Sequence, residues 1–370
     1  MKIAVAMSGG VDSSVAAFLM VKKYGKENVF GVTARLFCYS HQAKEKACCS
    51  LEAIDDAKAV CKKLGISHYV INEEAEFEKA VIKNFIESYR HGQTPIPCIP
   101  CNTNIKFGSM LEKVKKLGAE KLATGHYARI KMQNSNNKKQ IKRYQLLRGV
   151  DSEKDQTYFL YGLNQNQLSQ IEFPIGGLKK IEVRKLAKEI ELKIAEKKES
   201  QGVCFVMEGR VTDFLADKIK SKKGNIINSK GEVLGNHEGY VFYTIGQRKR
   251  IGGGHNEPMF VIRIDPLKNE VIIGNKDELY RSELVFNQPN WIDKVKFPLK
   301  CSAKIRYNME DTSCVVRHQA TSTKQQEISN FKFQISNYVV TFKKPQRAIT
   351  PGQSIVFYDG EICLGGGIIS

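Results

Sequence analysis

The segment that most constrains this chain comes first: a short apolar run, Lys2–Met7, then SGGVDSS, then a helical stretch from Val15 that stops near Gly25. A strand that turns through two glycines straight into a helix is the opening half of a βαβ unit. The alternation continues. Val29–Phe37 reads as a strand, Ser50–Leu64 as a helix stopped by Gly65, and His68–Ile71 as a strand. Phe77–Tyr89 continues the pattern, Asn104–Leu117 reads as a helix closed by Gly118, and Lys121–Thr124 as the next strand. Residues 134–142 are polar and read as a loop, and Pro174 to Leu192 as a connection and a further helix. This order predicts an α/β fold with a mostly parallel, doubly wound sheet and its ligands at the carboxyl ends of the strands.

The texture changes after about Gly209. EGYVFYT, PMFVIRID, NEVIIG, CSAKIRY, NYVVTF, QSIVFYDG and EICLGGGII are Gly-punctuated β-type segments, the pattern of small β domains or barrels. Boundaries fall near 208 and 282, giving domains 1–208, 209–282 and 283–370, the last expected to be a β-barrel. The Ser/Thr/Gln/Asn-rich stretch 308–338 reads as an extended or partly mobile insertion.

A length of 370 residues suits two or three domains. No run approaches the roughly 20 apolar residues of a membrane span. MKIAVAMSGG breaks into glycine too early for a secretory signal, so a cytoplasmic enzyme is expected. The formal charge of +19 suits a polyanionic partner, and equally a solvated lysine-rich surface. Ten cysteines, at 38, 48, 49, 61, 98, 101, 204, 301, 314 and 363, point in a reducing compartment to buried thiols, metal binding or redox chemistry. Cys61 falls on the stripe Leu51, Ile54, Ala57, Cys61, Leu64, the core face of a helix.

Three segments carry chemistry. In SGGVDS, Gly9 and Gly10 allow a tight turn, and Ser8, Ser13 and the N–H groups of the following helix can hold phosphate oxygens. The Gly-Lys-Ser/Thr ending of a Walker loop is missing. The hexapeptide resembles instead the SGGxDS loop of PP-loop pyrophosphatases, which cleave ATP between the α- and β-phosphates. In TPIPCIPCNTNIKFG, Cys101 is expected just before a helix, where a thiolate is favoured, with Lys106 nearby. In KKESQGVCFV, Cys204 follows a polar turn. One such cysteine can carry sulfur as a persulfide while a second releases it.

With AMSGGVDSS, CCSLEAIDDA, TPIPCIPCNTNIKFG, ATGHYAR, KDQTYFLYGL, ESQGVCFV, YTIGQRKRIG and TPGQSIVFYDGEICLGGGII in order over the whole length, the chain resembles the tRNA-specific 2-thiouridylase family. The resemblance implies ATP, with Mg2+, bound by Ala6, Met7, Ser8, Gly9, Gly10, Val11, Asp12 and Ser13, with Ala34 and Gly125 lining the adenosine pocket. It implies Cys101 as nucleophile, Cys204 as persulfide carrier, Asp12 in the catalytic loop, and a transient Cys101–Cys204 disulfide. It also implies tRNA contacts at His126, Lys154, Asp155, Gln156, Arg306, Tyr307 and Gln353, with Ile96, Pro97 and Cys98 at the target base. The partners implied are the anticodon stem-loop of tRNAs with a wobble uridine and a sulfur donor such as a cysteine desulfurase or sulfur carrier; no membrane is implied.

The chain departs from the family pattern at Cys98, where an aspartate is usual. Cys98, Cys101 and Cys204 could therefore also supply three thiolates to an iron–sulfur cluster, such as a [4Fe-4S] centre.

Overall fold

The structure is a computed structural model that describes residues 1–37, 51–133, 142–192, 194–195, 202–206, 210–251, 257–319 and 337–370. The chain divides into two compact units. The first comprises Met1–Lys83, Pro97–Glu208 and Glu361–Cys363; the second comprises Asn84–Ile96, Gly209–Gly360 and Leu364–Ser370.

The first unit is built on β1 (Ile3–Ala6), α1 (Val11–Tyr24), β2 (Val29–Arg35), α2 (Leu51–Leu64), β3 (Ser67–Asn72), β4 (Lys121–Ala123), β5 (Ala128–Gln133), β6 (Arg143–Arg148) and β7 (Ile171–Glu172). Five of the strands form an all-parallel sheet in the order β3-β2-β1-β4-β7. β1 lies in the middle and is buried along Ile3, Ala4 and Val5, which is why its sequence is a continuous apolar run rather than an alternating one. α1 adds Val11, Val15, Ala16, Ala17 and Met20 to the same core, and the helix Lys180–Glu189 adds Val183 and Ala187. Each large aliphatic side chain so buried contributes about 1.5–3 kcal/mol.

Several boundaries differ from expectation. α1 begins at Val11, not Val15, because the turn is complete at Gly10. The helix expected from Asn104 begins at Cys98 and runs to Lys116, with a π-helical stretch over Cys101–Ser109 and a break in φ/ψ at Gly108. β5 and β6 form an antiparallel hairpin that the periodicity did not announce; the loop between them, 134–141, lies outside the described residues. Leu51 is 82% exposed, whereas Ile54, Ala57 and Cys61 are buried as the stripe required.

The second unit contains β8 (Gly224–Asn228), β9 (Val233–His237), β10 (Phe260–Asp265), β11 (Glu270–Gly274), β12 (Tyr280–Trp291), β13 (Leu299–Lys304), β14 (Thr312–Gln319), β15 (Asn337–Arg347), β16 (Ser354–Asp359) and β17 (Ile362–Ile369). A four-stranded sheet, β10-β11-β8-β9, packs on Ile226, Val261, Val271 and Ile273. β12-β15-β14-β13-β16-β17 forms a six-stranded barrel, closed by β12 pairing with β17. Phe286, Val316, Val340, Ile355 and Phe357 fill it. Closure removes both sheet edges, so nearly every backbone group of these strands has a partner.

Two expectations fail here. EGYVFYT is not a strand: Tyr240–Phe242 is a 3₁₀ turn. Thr312–Gln319, placed within the expected insertion, is a barrel strand with Cys314 and Val316 in the core. Residues 320–336 lie outside the described residues. A helix, Val211–Lys218, opens this stretch ahead of its β segments.

Candidate functional site

Met7 donates its N–H to Val32 O at 2.7 Å, so the chain leaves the sheet at the carboxyl ends of β1 and β2. The loop then closes on itself. Ser8 N–H donates to Ser13 Oγ at 3.2 Å, and the Ser13 and Ser14 hydroxyls donate to Gly10 O at 3.0 and 2.9 Å. Gly9 has φ +68°, and a Cβ there would lie 2.4 Å from Ala53 O, so only glycine fits. Gly10 caps α1 without a side-chain bond, and the first N–H groups of a helix have no intrahelical acceptors. Serine hydroxyls and a helix N-terminus together make a place for phosphate oxygens.

Gly125, at the carboxyl end of β4, lies against this loop. A Cβ on it would sit 2.7 Å from Asp12 C and Ser13 N. Ala34, half-buried, ends the buried run of β2 and pairs with Ile71. The positions expected to bind ATP from both β-strand ends and from the loop thus gather at one edge of the sheet.

Asp12 is held from two sides. Its Oδ1 accepts from Tyr127 Oη at 2.8 Å, and both carboxylate oxygens accept from Lys180 Nζ at 2.8 Å. The Lys180 side chain is 13% exposed and its ammonium also lies 5.7 Å from the Tyr127 ring centroid. Neither residue stood among the sequence candidates. Tyr127 could have been found, since it follows Gly125 and His126 in ATGHYAR. Lys180 had no local signal.

The Lys154-Asp155-Gln156 segment is stitched to the same strand end. Gln156 Oε1 accepts from Tyr127 N–H at 3.0 Å, and Gln156 N–H donates to Tyr127 O at 2.9 Å. Asp155 is buried and accepts from Gly149 N–H and from the Thr157 N–H and hydroxyl, with Arg148 Nη1 3.6 Å away. Asp151 accepts from the N–H of Lys180, the first residue of its helix. Lys154 is half-buried.

His126 packs against both Phe107 and Phe173, with ring centroids 5.8 and 5.9 Å away, and its Nδ1 is 2.7 Å from the Thr124 hydroxyl. Burial, and then the charge of Lys106, hold its pKa well below the ordinary histidine value.

Cys98 is exposed at the start of its helix and Cys101 is buried one turn later, its N–H bonded to Pro97 O at 3.2 Å. The thiol expected ahead of a helix is therefore inside one. Asn102, beside it, donates from Nδ2 to Phe159 O at 3.0 Å. Cys204 is half-buried, and the next residue, Phe205, packs edge-on against Phe77 at 5.9 Å. Phe77 ends the turn Glu74–Phe77, which packs against Cys101–Ser109. Ser109 and Lys113 both hold Glu73 Oε2, at 2.6 and 3.1 Å. The two cysteine segments thus rest on one shared element. Among the described residues no three His, Cys, Asp or Glu side chains are spaced to hold a single metal ion.

In the second unit, Arg306 donates from Nη2 to Ala348 O at 2.8 Å and to the Thr350 hydroxyl at 3.1 Å. Tyr307 is half-buried in the turn after β13. Gln353 Nε2 donates to Thr94 O at 2.6 Å, which ties the TPGQS turn to the backbone two residues before Ile96. Pro97 and Cys98 begin the next stretch of chain, in the first unit.

A parallel sheet whose central strand feeds SGGVDS into a helix, with β domains following, defines a protein of the PP-loop nucleotide-binding class. Residues 1–208 match the family model described as tRNA methyl transferase HUP domain, 212–275 the tRNA methyl transferase PRC-barrel domain, and 281–369 the Aminomethyltransferase beta-barrel domain. The chain is 42% identical over 375 residues to tRNA-specific 2-thiouridylase MnmA 1 of Caldanaerobacter subterraneus subsp. tengcongensis, covering 100% of this chain and 97% of that protein. It is 42% identical over 376 residues to tRNA-specific 2-thiouridylase MnmA of Clostridium acetobutylicum, and 42% over 375 to that of Acetivibrio thermocellus; each match covers 100% of this chain and 99% of the relative. The chain belongs to the tRNA-specific 2-thiouridylase family.

Proposed function

We propose that the chain is an ATP-dependent tRNA-uridine 2-sulfurtransferase acting on the wobble uridine, position 34, of tRNA in the cytoplasm. The observation that carries this reading is the phosphate loop with Asp12 and Gly125 in contact, in a chain alignable end to end with 2-thiouridylases. Ser8 to Ser13 orient the triphosphate, and Ala34 and Gly125 line the adenosine pocket. The uridine C2 oxygen attacks the α-phosphorus, and the bond to the bridging oxygen breaks to release pyrophosphate. An adenylated base remains, with AMP as a good leaving group. Magnesium, when bound with the nucleotide, would be held by phosphate oxygens and supply charge neutralisation; both Asp12 oxygens are already bonded to Lys180.

Cys204 then carries the sulfur as a persulfide delivered by a cysteine desulfurase or sulfur carrier. Cys101 thiolate attacks the Cys204 sulfur, forming a Cys101–Cys204 disulfide and freeing sulfide, which displaces AMP from C2. A thiol reductant resets the pair. A three-thiolate iron–sulfur cluster on Cys98, Cys101 and Cys204 is the alternative sulfur route; both routes bring Cys101 and Cys204 together, and they differ in whether Cys98 is needed.

In this reading residues 1–208 hold the chemistry, 209–282 form a central β domain, and the barrel 283–370 grips tRNA. His126, Lys154, Asp155 and Gln156 act on tRNA at the strand end, and Arg306, Tyr307 and Gln353 act in the barrel. Ile96, Pro97 and Cys98 meet the target base. For the buried Asp155 and the backbone-bonded Gln156, Arg306 and Gln353 this means shaping the surface that tRNA meets. The +19 charge supplies the salt-sensitive part of the affinity.

The test is mass analysis of nucleosides from tRNA incubated with the protein, ATP and sulfide. The expected product is 2-thiouridine, formed only with ATP. A methylated nucleoside in place of 2-thiouridine, or no product at all, would sink the proposal.

A further inference from the structure

The geometry points to Lys180 as a positioning residue that acts on the nucleotide through Asp12. This inference rests on the ATP site proposed above. A loop that must receive a polyanion carries a carboxylate of its own, and a like charge close to the phosphates opposes their binding. Lys180 answers that charge. Its ammonium bonds both Asp12 oxygens at 2.8 Å, and the two side chains are 13% and 30% exposed, so the pair is only partly screened by solvent. Tyr127 fixes the carboxylate from the other side at 2.8 Å.

Lys180 is itself anchored. Its N–H donates to Asp151 Oδ2 at 2.8 Å, at the head of the loop whose Gln156 pairs with the Tyr127 backbone. Its helix packs on α1 through Val183 and Ala187. Lysine and tyrosine therefore hold Asp12 from supports that are joined to each other. The role assigned to Lys180 is to neutralise and aim Asp12, so its worth should depend on Asp12 being charged.

That dependence gives the test. ATP affinity is measured by calorimetry, in magnesium buffer at fixed ionic strength, for the parent, Lys180→Met, Asp12→Asn and the double variant, with thermal melts to verify folding. Lys180→Met is expected to weaken ATP about 10- to 100-fold in the parent, yet less than about threefold in the Asp12→Asn background, where no carboxylate is left to oppose the phosphates. Lys180→Arg, which keeps the charge, should recover most of the affinity. An equal loss in both backgrounds would mean that Lys180 contacts the phosphates directly, and would overturn the inference. So would unchanged affinity in a folded Lys180→Met. If the parent itself binds no ATP, the nucleotide site fails instead, which is a separate result. Should Lys180→Met not fold, Tyr127→Phe carries the same comparison: its loss of affinity must likewise shrink in Asp12→Asn.

Discussion

Gly125 presses against the backbone of Asp12: a Cβ on the glycine would lie 2.7 Å from the Asp12 carbonyl carbon and 2.9 Å from its oxygen. Two segments more than a hundred residues apart thereby form one wall of the phosphate loop. Gly125→Ala is expected to push the loop out of place, costing about 1–3 kcal/mol in stability and at least tenfold in ATP affinity. Thermal melts and ATP calorimetry measure the two effects. Parent-like ATP binding in Gly125→Ala would show that the loop tolerates the shift.

Cys98 distinguishes the two sulfur routes. It is exposed, whereas Cys101 is buried one turn later. On the persulfide route, Cys101→Ser and Cys204→Ser each abolish thiolation, while Cys98→Ala and Cys98→Asp retain it within a few-fold. The assay uses protein purified without oxygen, alongside iron analysis. Stoichiometric iron in the parent, lost together with activity in Cys98→Ala, would establish the cluster instead.

Acid should destabilise the first unit through His126 and His68. Burial is the main reason both rings stay below their ordinary value of 6.5, helped by Lys106 and Lys58 respectively. In the unfolded chain these histidines take up protons near 6.5, and in the folded protein only at lower pH. The unfolded state thus binds more protons below that value, and stability falls as pH falls, by at most about 1.4 kcal/mol per unit through His126 and by less through the half-exposed His68. Urea unfolding between about pH 7 and pH 5 measures the slope, in the window where histidine titrates. His126→Gln should lower it; an identical slope would assign the acid lability elsewhere.

In the barrel, β13 and β14 set Cys301 directly opposite Cys314, with their sulfurs 3.7 Å apart. A disulfide needs about 2.05 Å, a distance that small side-chain rotations can supply. Diamide should therefore convert the two thiols to a disulfide, taking two electrons and two protons. The hydrogen bond to Cys314, and then burial, push the Cys301 thiol above the ordinary thiol range, so the reaction should be slow at neutral pH and quicken in alkali. Peptide mass analysis after alkylation reads the result. Both thiols still alkylated after prolonged alkaline treatment would exclude the pairing.

Local chemistry made much of this protein legible before any fold was known. Lys2–Met7 read as a short apolar strand, and SGGVDS as a turn into a helix. The strands of the β domains were likewise visible as short runs between glycines. Where neighbours along the chain misled, the reason was tertiary. Thr312–Gln319 is polar in composition but is a strand because the barrel must close. Tyr240–Phe242 has strand-like residues, yet its chain turns.

What the sequence determined by itself was the glycine turn of SGGVDS into a helix, the alternation that builds the parallel sheet, and the cysteine segments from which the sulfur chemistry is proposed. All of these depend on residues within a few positions of one another. The tertiary structure alone decided that Lys180 reaches Asp12 across 168 residues, that Asp155 is buried in a hydrogen-bonded turn, and that Cys101 lies inside a helix beginning at Cys98. Side-chain periodicity reports which face of an element is apolar. It carries no information about which distant charge will meet another once those faces pack, and the electrostatics of the loop depend on that meeting.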